Sequence, residues 1–498
     1  MAQDFVRLAK SAGTNAIGYE RHRPEQTLLY QLVERYYPEL VALLSEQGKP
    51  LPKYVLREFD DYLKCGRLEH GFLRLRCDTC HAERLLGFSC KHRGFCPSCG
   101  ARRMAESAAL LVDHILPQRP MRQWVLSVPF QLRFLFASQP VIMGKALGIA
   151  YRAISTHITK KAGHTKTTAH TGAVTLIQRF GSALNLNVHL HMLFLDGVYV
   201  EDNKYGSAMR FQWIKAPSNA ELSRLTHTIA KRIGRYLERQ GLLDRDAEHS
   251  YLNANAIEDE YDPMHQLHGS SVTYRIAVGP RQGRKVFTLQ TMPASDPEEW
   301  AGGVDGFSLH AGVAAKAHER DKLERICRYI TRPPVSEQRL SLTRNGMVRY
   351  ELKTPYRDGT THVIFEPLDF ISKLAALVPK PRVNLTRFHG VFAPNSKHRA
   401  LVPPGKRGKG RAFNTTDDAQ DKSPKERTAA MTLSQRLKRV FNIDVETCNQ
   451  CGGAVKVVAC IEDPAVIKKI LDHIIKTEPT EQDRLPQSRA PPHGDLFH

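Results

Sequence analysis

No apolar run in this chain approaches the roughly 20 residues that a bilayer-spanning helix requires, which argues against a helical membrane protein. No secretory leader is expected either, since Met1-Ala2-Gln3-Asp4-Phe5 does not read as the start of a signal peptide. Acid is in short supply: 51 Asp and Glu stand against 72 Lys and Arg, a net charge of +21 with a sequence pI near 9.6. Such an excess implies a polyanionic partner, with nucleic acid ahead of an anionic membrane surface. The expected setting is cytoplasmic and nucleoid-associated, without a membrane. Cysteine is scarce outside one block, because six of the ten fall between Cys65 and Cys99 in CxxC spacings. With no secretory signal expected, this pattern favours a reduced protein that uses its thiols for metal over a disulfide framework. With 41% hydrophobic and 25% charged residues, the 498-residue chain has the composition of roughly two to four globular domains.

What is present centres on Asn187-Val188-His189-Leu190-His191-Met192-Leu193-Phe194-Leu195-Asp196-Gly197. Val, Leu and Phe in a run that stops at Asp-Gly predict a β-strand. Residues i and i+2 of a strand share a face, so His189 and His191 point the same way and can supply two imidazoles to a divalent metal. Alone, such a pair is more often structural; its company decides. Ala173 to Phe180 predicts a partner strand, with a turn centred near Leu184 and Asn185 that sets Gln178 opposite His191, a third metal ligand. Upstream, Cys77-Asp78-Thr79-Cys80 and Cys96-Pro97-Ser98-Cys99 are two knuckles fifteen residues apart, a spacing that closes a four-thiolate zinc site. Cys65 and Cys90 are left over, with His81 and His92, as material for a second site or an alternative ligation. Arg84, Arg93, Arg102 and Arg103 decorate this block as candidate phosphate contacts. Cys448 and Cys451 form half a knuckle, either an extra zinc site or a plain turn with free thiols.

Along the chain, residues 1–64 read as a helical lead-in with Pro24 and Pro38 at helix ends, and 65–118 as the zinc-binding domain. From 119 to 400 the pattern is strands with separate helices: a strand at Gln123 to Val128, helices at about 141–161, 218–241 and 311–330, and an irregular insert at 242–268. Further strands are expected at Val272 to Val278, Lys285 to Gln290, Leu340 to Thr343, Met347 to Leu352 and Thr361 to Phe365. The expected class is therefore α+β, an antiparallel sheet with segregated helices. A linker at 401–430, a small module at 431–476 and a disordered tail at 477–498 complete the reading.

The tyrosine of interest stands in Glu324-Arg325-Ile326-Cys327-Arg328-Tyr329-Ile330-Thr331-Arg332-Pro333-Pro334. Arg325, Arg328 and Arg332 surround it with positive charge, which helps a phenol of pKa near 10 attack a phosphodiester. A His-hydrophobic-His pair followed by a helical tyrosine resembles the HUH endonucleases. The Cys65 to Cys99 block, Ile177-Gln178-Arg179-Phe180-Gly181, His189 to Val198 and Arg328 to Pro334 together resemble the rolling-circle insertion-sequence transposases, including the common-region type. The likeness runs over nearly the whole chain, through Asp444 to Pro464. It implies an HUH-type nuclease domain at 119–400 in which Tyr329 attacks DNA to give a 5′-phosphotyrosine link. It also implies Mg²⁺ or Mn²⁺ on His189 and His191, and structural zinc in the N-terminal domain, which helps recognise the element's ends. Some relatives carry two tyrosines four residues apart; Arg325 occupies that position here, so the chain looks like a single-tyrosine member. Such an enzyme uses its tyrosine twice or recruits a second subunit, hence an expected homodimer. The rivals are a plasmid replication initiator with the same chemistry and a non-catalytic zinc-ribbon DNA-binding protein.

Overall fold

Thr27 opens the first long helix by accepting the amide hydrogen of Tyr30 at 3.3 Å. This is seen in a computed structural model that describes residues 17–18, 23–201, 209–245, 250–252, 262–292, 303–304, 306–404, 443–444 and 446–477. Helix α1 (Leu28–Glu46) continues through Pro38, which was expected to end it. The ring is exposed there, while Leu29, Val33, Tyr37, Leu40 and Leu44 keep one buried stripe. Helix α2 (Lys53–Lys64) leads to Cys65, a hairpin of β1 (Phe72–Cys77) and β2 (Glu83–Gly87), and α3 (Pro97–Leu110).

The middle of the chain begins with β3 (Met121–Ser127), α4 (Phe130–Ser138) and α5 (Pro140–Lys161). Then come β4 (Ala169–His170), β5 (Gly172–Phe180), β6 (Leu186–Leu195), β7 (Gly197–Glu201), β8 (Met209–Trp213) and α6 (Asn219–Arg239). Helix α7 (Pro263–Val272) is followed by β9 (Phe287–Gln290), β10 (Phe307–His310), β11 (Ala314–Ala315) and α8 (Arg320–Thr331). The expected strand at Val272 to Val278 is therefore absent. Pro263 at the first helical position and the Asp262 cap start a helix instead, and Arg275 makes a lone bridge to Lys285. The expected helix from Ala311 likewise starts nine residues late, because Ala314 and Ala315 pair with Arg122 and Met121. Three more strands, β12 (Leu340–Leu342), β13 (Val348–Glu351) and β14 (Thr360–Phe365), precede α9 (Pro367–Leu377) and β15 (Thr386–Gly390).

The main sheet runs Gly303–Val304, β10, β3, β6, β5, β15, with β11 also on β3, and every pairing is antiparallel. This is the α+β class read from the pattern. One face, with Trp124, Ile177, Leu190, Met192 and Phe194, packs on α4, α5 and α6. The other, with Val174, Leu176, Leu193 and Leu195, packs on Ile326, Cys327 and Ile330 of α8. His189 and His191 belong to that second face by alternation. A second core joins α1, α2, α7, α9 and the sheet β9-β14-β13-β12 to Cys65, Cys96 and Cys99.

The chain's far end returns to its beginning. Strand β16 (Val455–Ile461) pairs antiparallel with β1, from Phe72 opposite Ile461 to Cys77 opposite Val455, and α10 (Pro464–Thr477) follows. The segment expected as a separate module at 431–476 is thus, in its described part, the third strand of the zinc-block sheet. The expected linker, beyond residue 404, and the tail, beyond 477, lie outside the described residues.

Candidate active site and metal centres

The β5–β6 hairpin sets the histidines. Gly181 donates its amide hydrogen to Asn185 O at 2.9 Å, Leu184 takes φ 57°, and a bulge falls between Gln178 and Phe180. The register this produces puts Gln178 opposite His189, and Leu176 opposite His191, two residues from the expected pairing. A shift of two preserves the face, so Gln178 still stands on the side of both imidazoles. Its carboxamide nitrogen donates to Ile330 O at 3.2 Å, tying the end of α8 to the sheet.

Each imidazole has Nδ1 occupied and Nε2 turned elsewhere. Nδ1 of His189 lies 2.8 Å from Asn187 O and can only donate to it. Nδ1 of His191 lies 2.7 Å from the Gln123 carboxamide, a residue on the neighbouring strand that sequence reading passed over. The atom facing the ring is the Gln123 amide nitrogen, which donates to Nδ1. Turning the amide end for end makes its oxygen accept Nδ1–H and frees the Nε2 lone pair, the tautomer that a metal requires. Nε2 of His191 is buried and has no hydrogen-bond partner. The two rings are 4.8 Å apart between centroids. Burial holds His189 neutral, its pKa down to about 4. Burial first, then the charges of His189 and Arg332, hold His191 well below the usual histidine range. Two neutral imidazoles on one face, one of them with an orphaned buried nitrogen, are what a divalent cation needs, so the residues fit a metal.

Tyr329 stands over this pair, edge-on to His191 with centroids 6.5 Å apart and planes at 86°. The Arg332 guanidinium lies 4.1 Å from its ring centre and Lys353 Nζ lies 4.6 Å away. Burial raises the phenol pKa, but the charge and hydrogen bond of Arg332 and the charge of Lys353 outweigh it, leaving a net fall below the ordinary 10. Arg325 is exposed, and Arg328 pairs loosely with Glu324 at 3.9 Å. A cavity of about 260 Å³ opens beside the tyrosine helix, lined among others by Arg93, Arg103, Gln178, Arg332 and Asn384. It lies between the zinc block and β5, the partner of the histidine strand, and three of the predicted phosphate-contacting arginines line it. Arg84, Arg102, Arg325 and Arg328 do not line it. Arg93 and Arg103 are held by backbone oxygens of Val383 and Lys91, each at 2.7 Å.

The cysteines group differently from the sequence expectation. Cys65, Cys90, Cys96 and Cys99 make one four-thiol cluster, and Cys77, Cys80, Cys448 and Cys451 make the other. In the first, Cys65 Sγ lies 3.8 Å from Cys96 Sγ and 3.7 Å from Cys99 Sγ, and Cys90 Sγ lies 3.4 Å from Cys99 Sγ. Across the second, Cys77–Cys451 and Cys80–Cys448 are 3.5 and 3.6 Å, and all sulfurs of each cluster lie within 4.8 Å of one another. The edge of a tetrahedron of zinc–thiolate bonds is about 3.8 Å, so both clusters fit zinc. The joint site Cys77, Cys80, Cys96 and Cys99 is therefore corrected. Pairing of β1 with β16 carries the first knuckle to the Cys448–Cys451 turn, and Cys65 at the end of α2 meets the second knuckle. Gly453 lies where a Cβ would sit 3.0 Å from Cys77 Sγ and 2.4 Å from Thr79 Oγ1, a reason for glycine there. Cys460 is exposed, joins neither cluster, and contacts Glu462.

Comparison with known families gives two matches. Residues 32–128 match the family described as "Transposase zinc-binding domain", of the IS91 type, and residues 172–400 match "Putative transposase". The chain belongs to the IS91-type transposases. It is accordingly a DNA-cutting and strand-transferring enzyme with DNA as its partner and structural zinc in its N-terminal domain. The matched spans enclose the first thiol cluster, the histidine pair and Tyr329. No curated protein and no solved structure matches the chain. Among the described residues no helix is long and apolar enough to cross a membrane.

Proposed function

We propose that this transposase cuts single-stranded DNA by attack of Tyr329 on the scissile phosphate and drives rolling-circle transposition of its element. The observation that carries the reading is the edge-on placement of the Tyr329 ring on His191, beneath two cationic side chains. Oη of Tyr329 forms a bond to phosphorus while the bond to the 3′ oxygen breaks. The product is a 5′-phosphotyrosine and a 3′-hydroxyl that has taken up a proton and can prime synthesis. The reverse attack by a 3′-hydroxyl rejoins strands without a nucleotide cofactor, since the phosphodiester bond energy is kept in the link. His189, His191 and the carboxamide oxygen of Gln178 would hold Mg²⁺ or Mn²⁺, which when bound draws charge from the phosphate oxygens. With one tyrosine, the second transfer of a cycle falls to regenerated Tyr329 or to a second copy of the chain.

Arg332 has two tasks, stacking on the tyrosine and facing the cavity. In Arg332→Ala the desolvation of Tyr329 is no longer offset, so its pKa rises and the fraction ionised at neutral pH falls. The inflection of single-turnover cleavage against pH is expected to move upward, with Arg332→Lys intermediate; an unmoved inflection removes Arg332 from the activation of Tyr329. Gln123→Ala is expected to weaken metal binding about 10–100-fold through the freed His191 ring, measured by Mn²⁺ titration. Unchanged affinity excludes this orienting role. Single-strand affinity should fall steeply with salt, the log–log slope being about −0.7 for each phosphate neutralised. Removing Arg93 should make that slope shallower, whereas a flat response in the parent protein contradicts phosphate-driven binding.

A further inference from the structure

Away from the histidine pair and the thiols, a third group of metal-ligating side chains converges. His170, at the end of β4, Glu201, at the end of β7, and His398, in the turn Lys397–Ala400 after β15, hold their donor atoms within 4.8 Å of one another. They come from three separate stretches of chain. About 20 Å of β5, from Gly172 to Gln178 at about 3.3 Å per residue, separates this end of the sheet from the proposed catalytic histidines.

Oε1 of Glu201 lies 3.6 Å from His170 Nε2 and 3.8 Å from His398 Nε2. Both separations exceed a hydrogen bond and approach the edge, about 3.4 Å, of a tetrahedron with bonds of about 2.1 Å. The imidazoles stack with centroids 4.2 Å apart and planes 26° apart, so both present their Nε2 edges to the same carboxylate. Nε2 of His170 is buried and has no hydrogen-bond partner, a cost that coordination would remove. His398 is buried, and its turn is fixed by Ser396 Oγ, which accepts the His398 amide hydrogen at 3.3 Å. A cavity of about 540 Å³ opens on the group, lined among others by Ser155, Lys166, Asn395 and Lys397. Lys397 Nζ, on a largely exposed side chain, reaches to 3.5 Å from the same Glu201 oxygen. It is the movable cation that balances the carboxylate when no metal is there.

We propose that His170, Glu201 and His398 form a binding site for a divalent transition metal of the zinc class, distinct from both thiolate clusters and from the histidine pair. Two imidazoles and one carboxylate favour such a metal over Mg²⁺ or Ca²⁺, and three ligands leave a position open towards the cavity for water. The ion clasps the turn after β15 to the edge of the β4-β7-β8 sheet. The inference is independent of the tyrosine reading, because it concerns residues that take no part in cleavage.

The test uses the full-length protein with its thiolate zinc in place, titrated with Zn²⁺ and with Co²⁺ and assayed for bound metal by mass spectrometry. The wild type should hold one equivalent more than Glu201→Gln and one more than the His170→Ala/His398→Ala double variant. All variants keep the catalytic histidines, so the difference counts this site alone. Glu201 is part-exposed and the Gln exchange is isosteric, which keeps folding out of the result. Lys397→Ala should bind the extra metal several-fold more tightly, an effect of opposite sign that a merely structural cluster would not show. Equal stoichiometry in wild type and Glu201→Gln overturns the proposal, as does a Lys397→Ala variant whose affinity is unchanged or weaker.

Discussion

Tyr329→Phe is expected to lower single-strand cleavage by about 10³-fold or more while leaving the dissociation constant for uncleaved DNA within about threefold. The substitution deletes one oxygen. The ring remains between Arg332, Lys353 and His191, and the cation–π contacts at 4.1 and 4.6 Å survive. What is lost is the atom that bonds to phosphorus, an interaction made only on the way to the transition state. Cleavage rates under single turnover, with affinity measured separately in the absence of divalent metal, resolve the two quantities. Comparable cleavage by Tyr329→Phe would require another nucleophile and remove Tyr329 from the reaction.

The second large effect concerns the joint between the chain's ends. In the Cys448→Ser/Cys451→Ser variant, bound zinc should fall by one equivalent, and β16 should lose its hold on β1. The second thiol cluster spans 374 positions between Cys77 and Cys451, so it closes a loop of about three quarters of the 498-residue chain. Because a structural zinc site contributes folding free energy directly, amide exchange across 72–77 and 455–461 should accelerate by orders of magnitude. The main sheet, with its own core, should keep its protection. Val457 and Val458, exposed on β16, give that strand little apolar burial of its own, so zinc and β-pairing must supply the attachment. Unchanged zinc content would mean that the sulfurs of Cys77, Cys80, Cys448 and Cys451 do not share an ion.

Much of this arrangement was legible in the sequence. Alternation in Asn187 to Leu195 placed His189 and His191 on one face, and the strands expected at Leu340 to Thr343, Met347 to Leu352 and Thr361 to Phe365 lie side by side in the second sheet. Tyr329 could be singled out because basic residues surround it. The cysteine partners could not be read. Two knuckles fifteen residues apart match a self-contained ribbon, whereas the true partner of the first is determined by a strand pairing with β16 that leaves no local mark. Cys65 and Cys90, set aside as extras, were the sign that one site was short of ligands and another had too many.

Register was lost for a similar reason. The bulge after Gln178 and the left-handed Leu184 shift the hairpin by two residues, and neither follows from the apolar pattern. Gln123 went unnoticed because it belongs to a neighbouring strand and meets His191 only diagonally across the sheet. Positioning partners of this kind carry no spacing signal. The strand misread at Val272 to Val278 shows local chemistry overruling alternation, since the Asp262 cap and Pro263 commit the preceding segment to a helix.

The most direct test of the central claim is to incubate the purified transposase with a labelled single-stranded oligonucleotide carrying the element's terminus and Mg²⁺ or Mn²⁺, then digest and map any adduct by peptide mass. The account predicts a nucleotide joined through a 5′-phosphate to the peptide containing Tyr329, absent from Tyr329→Phe and strongly reduced in His189→Ala. An adduct on another residue, or DNA bound tightly across a range of termini with none formed, would contradict it.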